Sequence, residues 1–427
     1  MVKYEKFVLD NGLTVILHVD ESTPMVAVNV LYKVGSKDED PGKTGFTHLF
    51  EHLMFSGTEN VPDFDTPIQL AGGENNAFTN NDITNFYNVL PKENLEVALW
   101  LEADRLAKMK FTPKALRTQK KVVIEEFKES CLNEPYGDMW HHLSAMMYPD
   151  HGYHWPTIGK EIAHISNAKM SDVEAFFYEH YRPSNAIISI CGNIDTAYVK
   201  ELVVKWFGDI EEKVLDNKRK FVFNYDSPEK SRVIIANVPS VATIQGFKMH
   251  SRCHPDYYTA DLISDILSSG RSSRLYRRLI KEDELFSNVD AFITGTTDDG
   301  AFVIDGKVME GIDPDKAIAA VWEELERLKT ERIGEEELQK IKNKTESNLV
   351  FSETSILSKA MSLSYYEYLG DIELINSEAE MYDNITAEDI QRVANELFQY
   401  NREVRILYRP IVKEVEAGAG EVAESLA

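Results

Sequence analysis

What most constrains the fold of this chain is a repeated order of strand and helix signals. In the first half, residues 4–9 alternate as a strand and end at Asp10-Asn11-Gly12, a tight-turn sequence. Residues 13–18 form the hairpin partner, and a longer β-rich run over 25–34 stops at Gly35. A helical pattern covers 44–56, strand character returns over 77–90, and two long amphipathic helices span 91–109 and 113–131. A helix over 171–180 has Ser171 as its expected N-cap, and an apolar strand over 185–191 closes the half.

After a charged, irregular stretch at 208–231, the order returns. Strands are expected at 233–238 and 242–249, a helix at 257–268, long helices at 312–329 and 335–351, and a closing helix and strand at 387–398 and 404–408. An overlay with an offset of 213 residues sets His48 on Asp261, Glu51 on Ser264, His52 on Asp265 and Gly57 on Gly270. The expectation is an α+β fold of two homologous domains. Each would be a mixed, largely antiparallel sheet with helices packed on one face. The expected boundaries are 1–212, a linker at 213–231, a second domain at 232–412 and a small acidic, disordered tail at 413–427.

The first half carries chemistry that the overlay does not repeat. In His48-Leu49-Phe50-Glu51-His52 the two histidines are four residues apart, so a helix presents both on one face to a single metal ion. Glu51 sits one step round, within reach of a water on that metal. The order H-x-x-E-H reverses the commoner zinc-protease motif. A catalytic zinc takes a third protein ligand and leaves one position for water. The helix over 113–131 offers Glu125, Glu126 and Glu129. Val122, Val123 and Phe127 mark its buried stripe, which places Glu126 inward and Glu125 outward. Two neutral histidines and one carboxylate leave the metal a net positive charge, and Glu51 is placed to act as general base.

Composition excludes several classes. The net charge of −25 argues against nucleic acid as a partner. No apolar run is long enough to span a bilayer. The start runs straight into a strand without an apolar signal core, so the expected location is cytoplasmic, or periplasmic if a leader was removed. Cys131, Cys191 and Cys253 form neither a disulfide framework nor a C-x-x-C pair, and are expected as ordinary, partly buried thiols. His141, His142, His151 and His154 cluster in sequence, but Pro149 and Gly152 break any helical spacing, so packing roles are expected.

The motif, together with Val122-Val-Ile-Glu-Glu126-Phe, resembles the pitrilysin (M16, inverzincin) metallopeptidase family. The likeness is strongest to the short branch of mitochondrial processing peptidase β-type subunits and bacterial relatives. It runs over roughly 4–410 and includes His52-Leu-Met-Phe55-Ser-Gly57-Thr58, Gly73 to Thr79, Tyr148-Pro149-Asp150-His151 and Tyr181-Arg182-Pro183-Ser-Asn185. The resemblance implies a zinc endopeptidase with one Zn2+ per chain, held by His48, His52 and Glu126, with Glu51 as base. It implies that Asn76-Ala77-Phe78-Thr79 is an edge strand to which a peptide adds.

Two departures stand out. Gln119 occupies a position where the family often has a supporting Glu. Ile280 and Ser287 occupy the positions of a substrate-binding Arg and Tyr. The resemblance therefore implies a peptide substrate and a homologous partner chain carrying the Arg and Tyr, with a homodimer as the alternative. A non-catalytic structural or peptide-binding subunit is the rival reading.

Overall fold

The structure, a computed structural model, describes residues 1–212 and 227–411. The linker expected at 213–231 therefore lies largely outside the described residues, as does the tail at 413–427. The first sheet contains β1 (Glu5–Val8), β2 (Thr14–Val19), β3 (Met25–Tyr32), β4 (Glu74–Thr79), β5 (Thr84–Pro91) and β6 (Ala186–Gly192), in the order β1-β2-β6-β3-β5-β4. The second contains β7 (Ser231–Ala236), β8 (Ala242–Met249), β9 (Phe286–Ile293), β10 (Gly300–Val308) and β11 (Val404–Pro410), in the order β7-β11-β8-β10-β9.

Without β1, the two orders are the same. Each sheet has one parallel contact, β2 with β6 and β7 with β11, and every other pairing is antiparallel. The fold is α+β with two sheets of mixed type, as the repeated signals imply.

Strand alternation shows how the layers are made. Along β3, Val26, Val28, Val30 and Tyr32 point into a core shared with helices of the first half. The intervening Ala27 and Leu31 point the other way, against Ala360, Leu363 and Tyr366 of helix Ile356–Leu369, which belongs to the second half. Asn29, on that same face, donates to Ser364 Oγ at 3.2 Å, and Ser189 Oγ lies 2.7 Å from the same hydroxyl.

The exchange is reciprocal. Helix Met139–Met147 of the first half sets Leu143, Met146 and Met147 against Ile244, Val303, Ile406 and Tyr408 of the second sheet. A Cβ at Gly246 would stand 2.8 Å from Met147 Sδ, so glycine allows the helix its close approach. Each sheet is thus covered on one face by its own helices and on the other by a helix lent from the other half.

Several elements differ from expectation. The strand character over 77–90 resolves into the hairpin β4–β5, because Asn80 to Ile83 form the turn. The helix expected from Ser171 begins at Met170; its first turn is closed by Asp172, whose carboxylate accepts the Lys169 N–H at 3.0 Å. Strands β9 and β10 and helices Met139–Met147, Ile356–Leu369 and Leu374–Asp383 are not anticipated above. Helix Ile356–Leu369 is weakly amphipathic because two layers bury it, so its period is blurred. Cys131 and Cys191 are buried while Cys253 is exposed, so the thiols are not uniformly part-buried. Among the described residues no helix is long and apolar enough to cross a membrane.

Candidate metal centre

The H-x-x-E-H segment lies on helix Phe46–Leu53. Phe46, Leu49, Phe50 and Leu53 are buried, and Phe50 packs on Phe176, Phe177 and Tyr181. That apolar stripe leaves His48, Glu51 and His52 on the opposite side.

The helix start is tightly held. Gly45 has φ +82, and a Cβ there would lie 2.6 Å from the Ile158 carbonyl oxygen. Buried Glu39 accepts the backbone N–H of Thr47 at 2.7 Å and of Gly45 at 2.8 Å, satisfying donors that a helix start leaves open. Trp155 Nε1 also donates to Glu39, at 3.0 Å. Burial pushes the Glu39 carboxyl up to about 8. Sequence reasoning missed this residue; its available signal is an acid just ahead of the Gly45 helix start.

Helix Pro113–Phe127 brings the third group. Its N-cap Thr112 accepts from Ala115 N, and Pro113 occupies the first turn. Val122 is exposed rather than part of the buried stripe, which is made by Leu116, Val123 and Phe127. Val122 borders the stripe but is turned toward solvent. Glu126 still faces the motif helix, and Glu125 is exposed and paired with Lys128.

His48 Nε2 and His52 Nε2 lie 3.3 Å apart, and Glu126 carboxylate oxygens lie 3.7 Å from His48 and 3.4 Å from His52. Tetrahedral zinc with bonds of about 2.0–2.1 Å separates its ligand atoms by about 3.3 Å, so this donor set fits such an ion. The His52 side chain, and then the charges of both imidazoles, hold the Glu126 carboxyl below its ordinary range. Burial holds the His48 imidazole below its ordinary value, favouring the neutral form a metal requires. Among the described residues no hydrogen bond or ion pair ties down the Glu51 carboxylate.

Gln119 shares a helix face with Glu126 but reaches no imidazole. Its Nε2 donates to Ser56 Oγ at 3.3 Å, just past the motif helix. Asn76, Ala77, Phe78 and Thr79 lie on β4, which pairs only with β5 and forms the sheet edge. Phe78 is exposed, and the Ala77 N–H is taken by its neighbour Asn76 Oδ1 at 2.8 Å.

Ile280 is half-buried and Ser287 exposed. Nearby Arg278 is held by Asp283, Glu323 and Glu324, and Phe286 is buried, so neither can stand in for an Arg and Tyr without local rearrangement. The other histidines are separately engaged: His141 with the Gly159 carbonyl, His142 with Asp138 and Arg232, His151 with the Tyr153 N–H and His154 with the Tyr148 carbonyl.

Among the described residues one further cluster of this kind occurs, His250, His254 and Asp256. It fits a metal poorly. The two rings stack at 3.9 Å, Arg392 holds both Asp256 oxygens, and His254 Nδ1 accepts the Asp256 N–H.

The fold and the three converging donors define the class: a two-sheet α+β chain with a His/His/Glu donor set on two helices of its first half. Two family profiles match it, "Insulinase (Peptidase family M16)" over residues 14–160 and "Peptidase M16 inactive domain" over residues 167–345. The chain belongs to the M16 peptidase family. It is 28% identical to the zinc protease PqqE of Helicobacter pylori, over 96% of this chain and 93% of that one. It is 24% identical to the mitochondrial-processing peptidase subunit beta of Blastocladiella emersonii, over 93% and 87%. The crystal structure of a protease from Helicobacter pylori superposes with a TM-score of 0.89 at 28% identity, covering 96% of this chain and all of that chain (100%).

Proposed function

We propose that this chain is the zinc-bearing subunit of an endopeptidase acting on peptides or unfolded polypeptide segments. The observation that carries the reading is the approach of His48, His52 and Glu126 within one tetrahedral edge of each other, beside an unengaged Glu51. A zinc ion in that triangle would lower the pKa of water and polarise a peptide carbonyl. Glu51 accepts a proton from the attacking water on its carboxylate and passes it to the leaving amine. Gln119, through Ser56, steadies the end of the motif helix. A substrate strand lies along the edge at Asn76 to Thr79, held by backbone hydrogen bonds and selected by side chains such as Phe78. The chain reads as two homologous units, 1–212 and 232–412, of which only the first holds metal.

Ile280 and Ser287, with Arg278 committed to three carboxylates, support completion of the site by a homologous partner chain that brings an Arg and a Tyr. The same residues favour a second reading, a peptide-binding subunit that is silent alone. Glu51→Gln tests the first. It should retain zinc while cleavage by the assembled enzyme falls by about 10²–10⁴-fold. Surviving cleavage removes Glu51 from the role. Full turnover by the pure chain as a homodimer removes the partner requirement.

A further inference from the structure

The chain is strongly acidic, yet no Asp or Glu occurs between Asp104 and Glu125, while Lys108, Lys110, Lys114, Arg117, Lys120 and Lys121 do. Lys114, Arg117 and Lys121 are exposed, and among the described residues none of them is in an ion pair. Other cations of the first half do have carboxylate partners, as in Lys43–Asp172, Lys200–Glu5 and Lys205–Glu96.

Two of these cations, Arg117 and Lys121, border a surface groove of about 490 Å³ between helix Pro113–Phe127 and the segment 166–170. Its apolar lining includes Leu116, Ile124 and Met170, its cations are Arg117, Lys120 and Lys121, and no acidic side chain lines it. Lys120 Nζ donates to the Ala168 carbonyl at 2.9 Å, which fixes one wall. At about 100° per residue, Arg117 and Glu126 fall on opposite faces of the helix, so the groove is separate from the metal centre.

We propose that this groove docks a short acidic segment of a protein partner, one that presents carboxylates to Arg117 and Lys121 and an apolar side chain to Leu116 and Ile124. Charge complementarity selects the sign of the partner. The concave apolar floor selects a peptide over a flat anionic bilayer. The small extent of the cationic island, three cations on one helix, selects a short segment over a long polyanion. The inference does not rest on the peptidase reading.

The test uses the full chain and a fluorescein-labelled peptide alternating Glu and Leu, with a Gln–Leu peptide as control. Binding by anisotropy should favour the Glu peptide and weaken with added salt. The R117E/K121E variant should lose about tenfold in affinity. Its zinc content and thermal midpoint should be unchanged, which separates docking from misfolding. Equal binding of both peptides, or undiminished binding by the variant, overturns the proposal. So does capture of phosphatidylglycerol vesicles or single-stranded DNA without capture of the Glu peptide.

Discussion

The helices Phe46–Leu53 and Asp256–Ser268 occupy corresponding places in the two halves, yet they do different work. In the first half, His52 on the helix meets Glu126 of the second long helix at 3.4 Å. In the second half, Asp265 meets Lys344 of helix Glu335–Ser352 at 3.5 Å, and Asp261 accepts from Tyr382 Oη at 2.7 Å. The same scaffold contact thus carries a metal-type donor set in one copy and an ion pair in the other. Apolar residues preserve the packing in both, as Leu49 and Leu53 parallel Leu262 and Ile266, all buried. What distinguishes the halves is a handful of side chains on one helix face, not the backbone that presents them.

Four measurements test how far the two halves differ. The largest effect is expected at Glu126. Replacing this donor with Gln should cost more than the roughly 10–100-fold in zinc affinity typical of a merely supporting residue, read by competition with a chelator. Asp265→Asn should leave zinc content unchanged.

Next come the exchanged helices. Leu363→Ala and Leu143→Ala each empty a fully buried position between a lent helix and the opposite sheet. Each should cost about 2–5 kcal/mol in urea unfolding, and similar costs would show that the halves depend on one another equally.

Glu39 is third and concerns pH. With its carboxyl pushed up to about 8 by burial, the folded chain keeps a proton that the unfolded chain releases near pH 4.3. The associated stability is complete below about pH 4.3 and is lost as pH rises through about 8. Glu39→Gln should therefore flatten the decline in unfolding midpoint across that window. An unchanged slope would show that Glu39 is already ionised at its donors.

The smallest effect belongs to Lys344→Met. Its partly exposed pair with Asp265 should be worth less than about 1 kcal/mol, and a larger loss would mean that the second half uses this contact as more than a surface ion pair.

Much of the fold was legible because local patterns report local geometry. The strand 242–249 and the helices near 257–268 and 335–351 agree with the structure to within a residue or so, since each has a clear period or turn signal. Glu126 faces the motif helix although Val122, four residues before it, is exposed. The reason is that Glu126 also stands three residues beyond Val123, which is buried. Helix Ile356–Leu369 and the β9–β10 hairpin were harder to read. In the helix, burial by two layers removes the period that sequence patterns rely on, and β9 is an edge strand interrupted by Ser287, Asn288 and Asp290.

Residue order alone marks which side chains could do chemistry: two histidines one helical turn apart, a glutamate between them, and a duplicate half without them. Spacing of that kind is a property of a single element. Packing of the helices is what brings Glu126, more than seventy residues away, within 3.7 Å of both imidazoles. It alone turned Glu39 onto the helix start, tied Arg278 to three carboxylates and sent one helix from each half across to the other's sheet. Those outcomes depend on which buried surfaces fit together, and packing between distant segments leaves no periodic trace in either one.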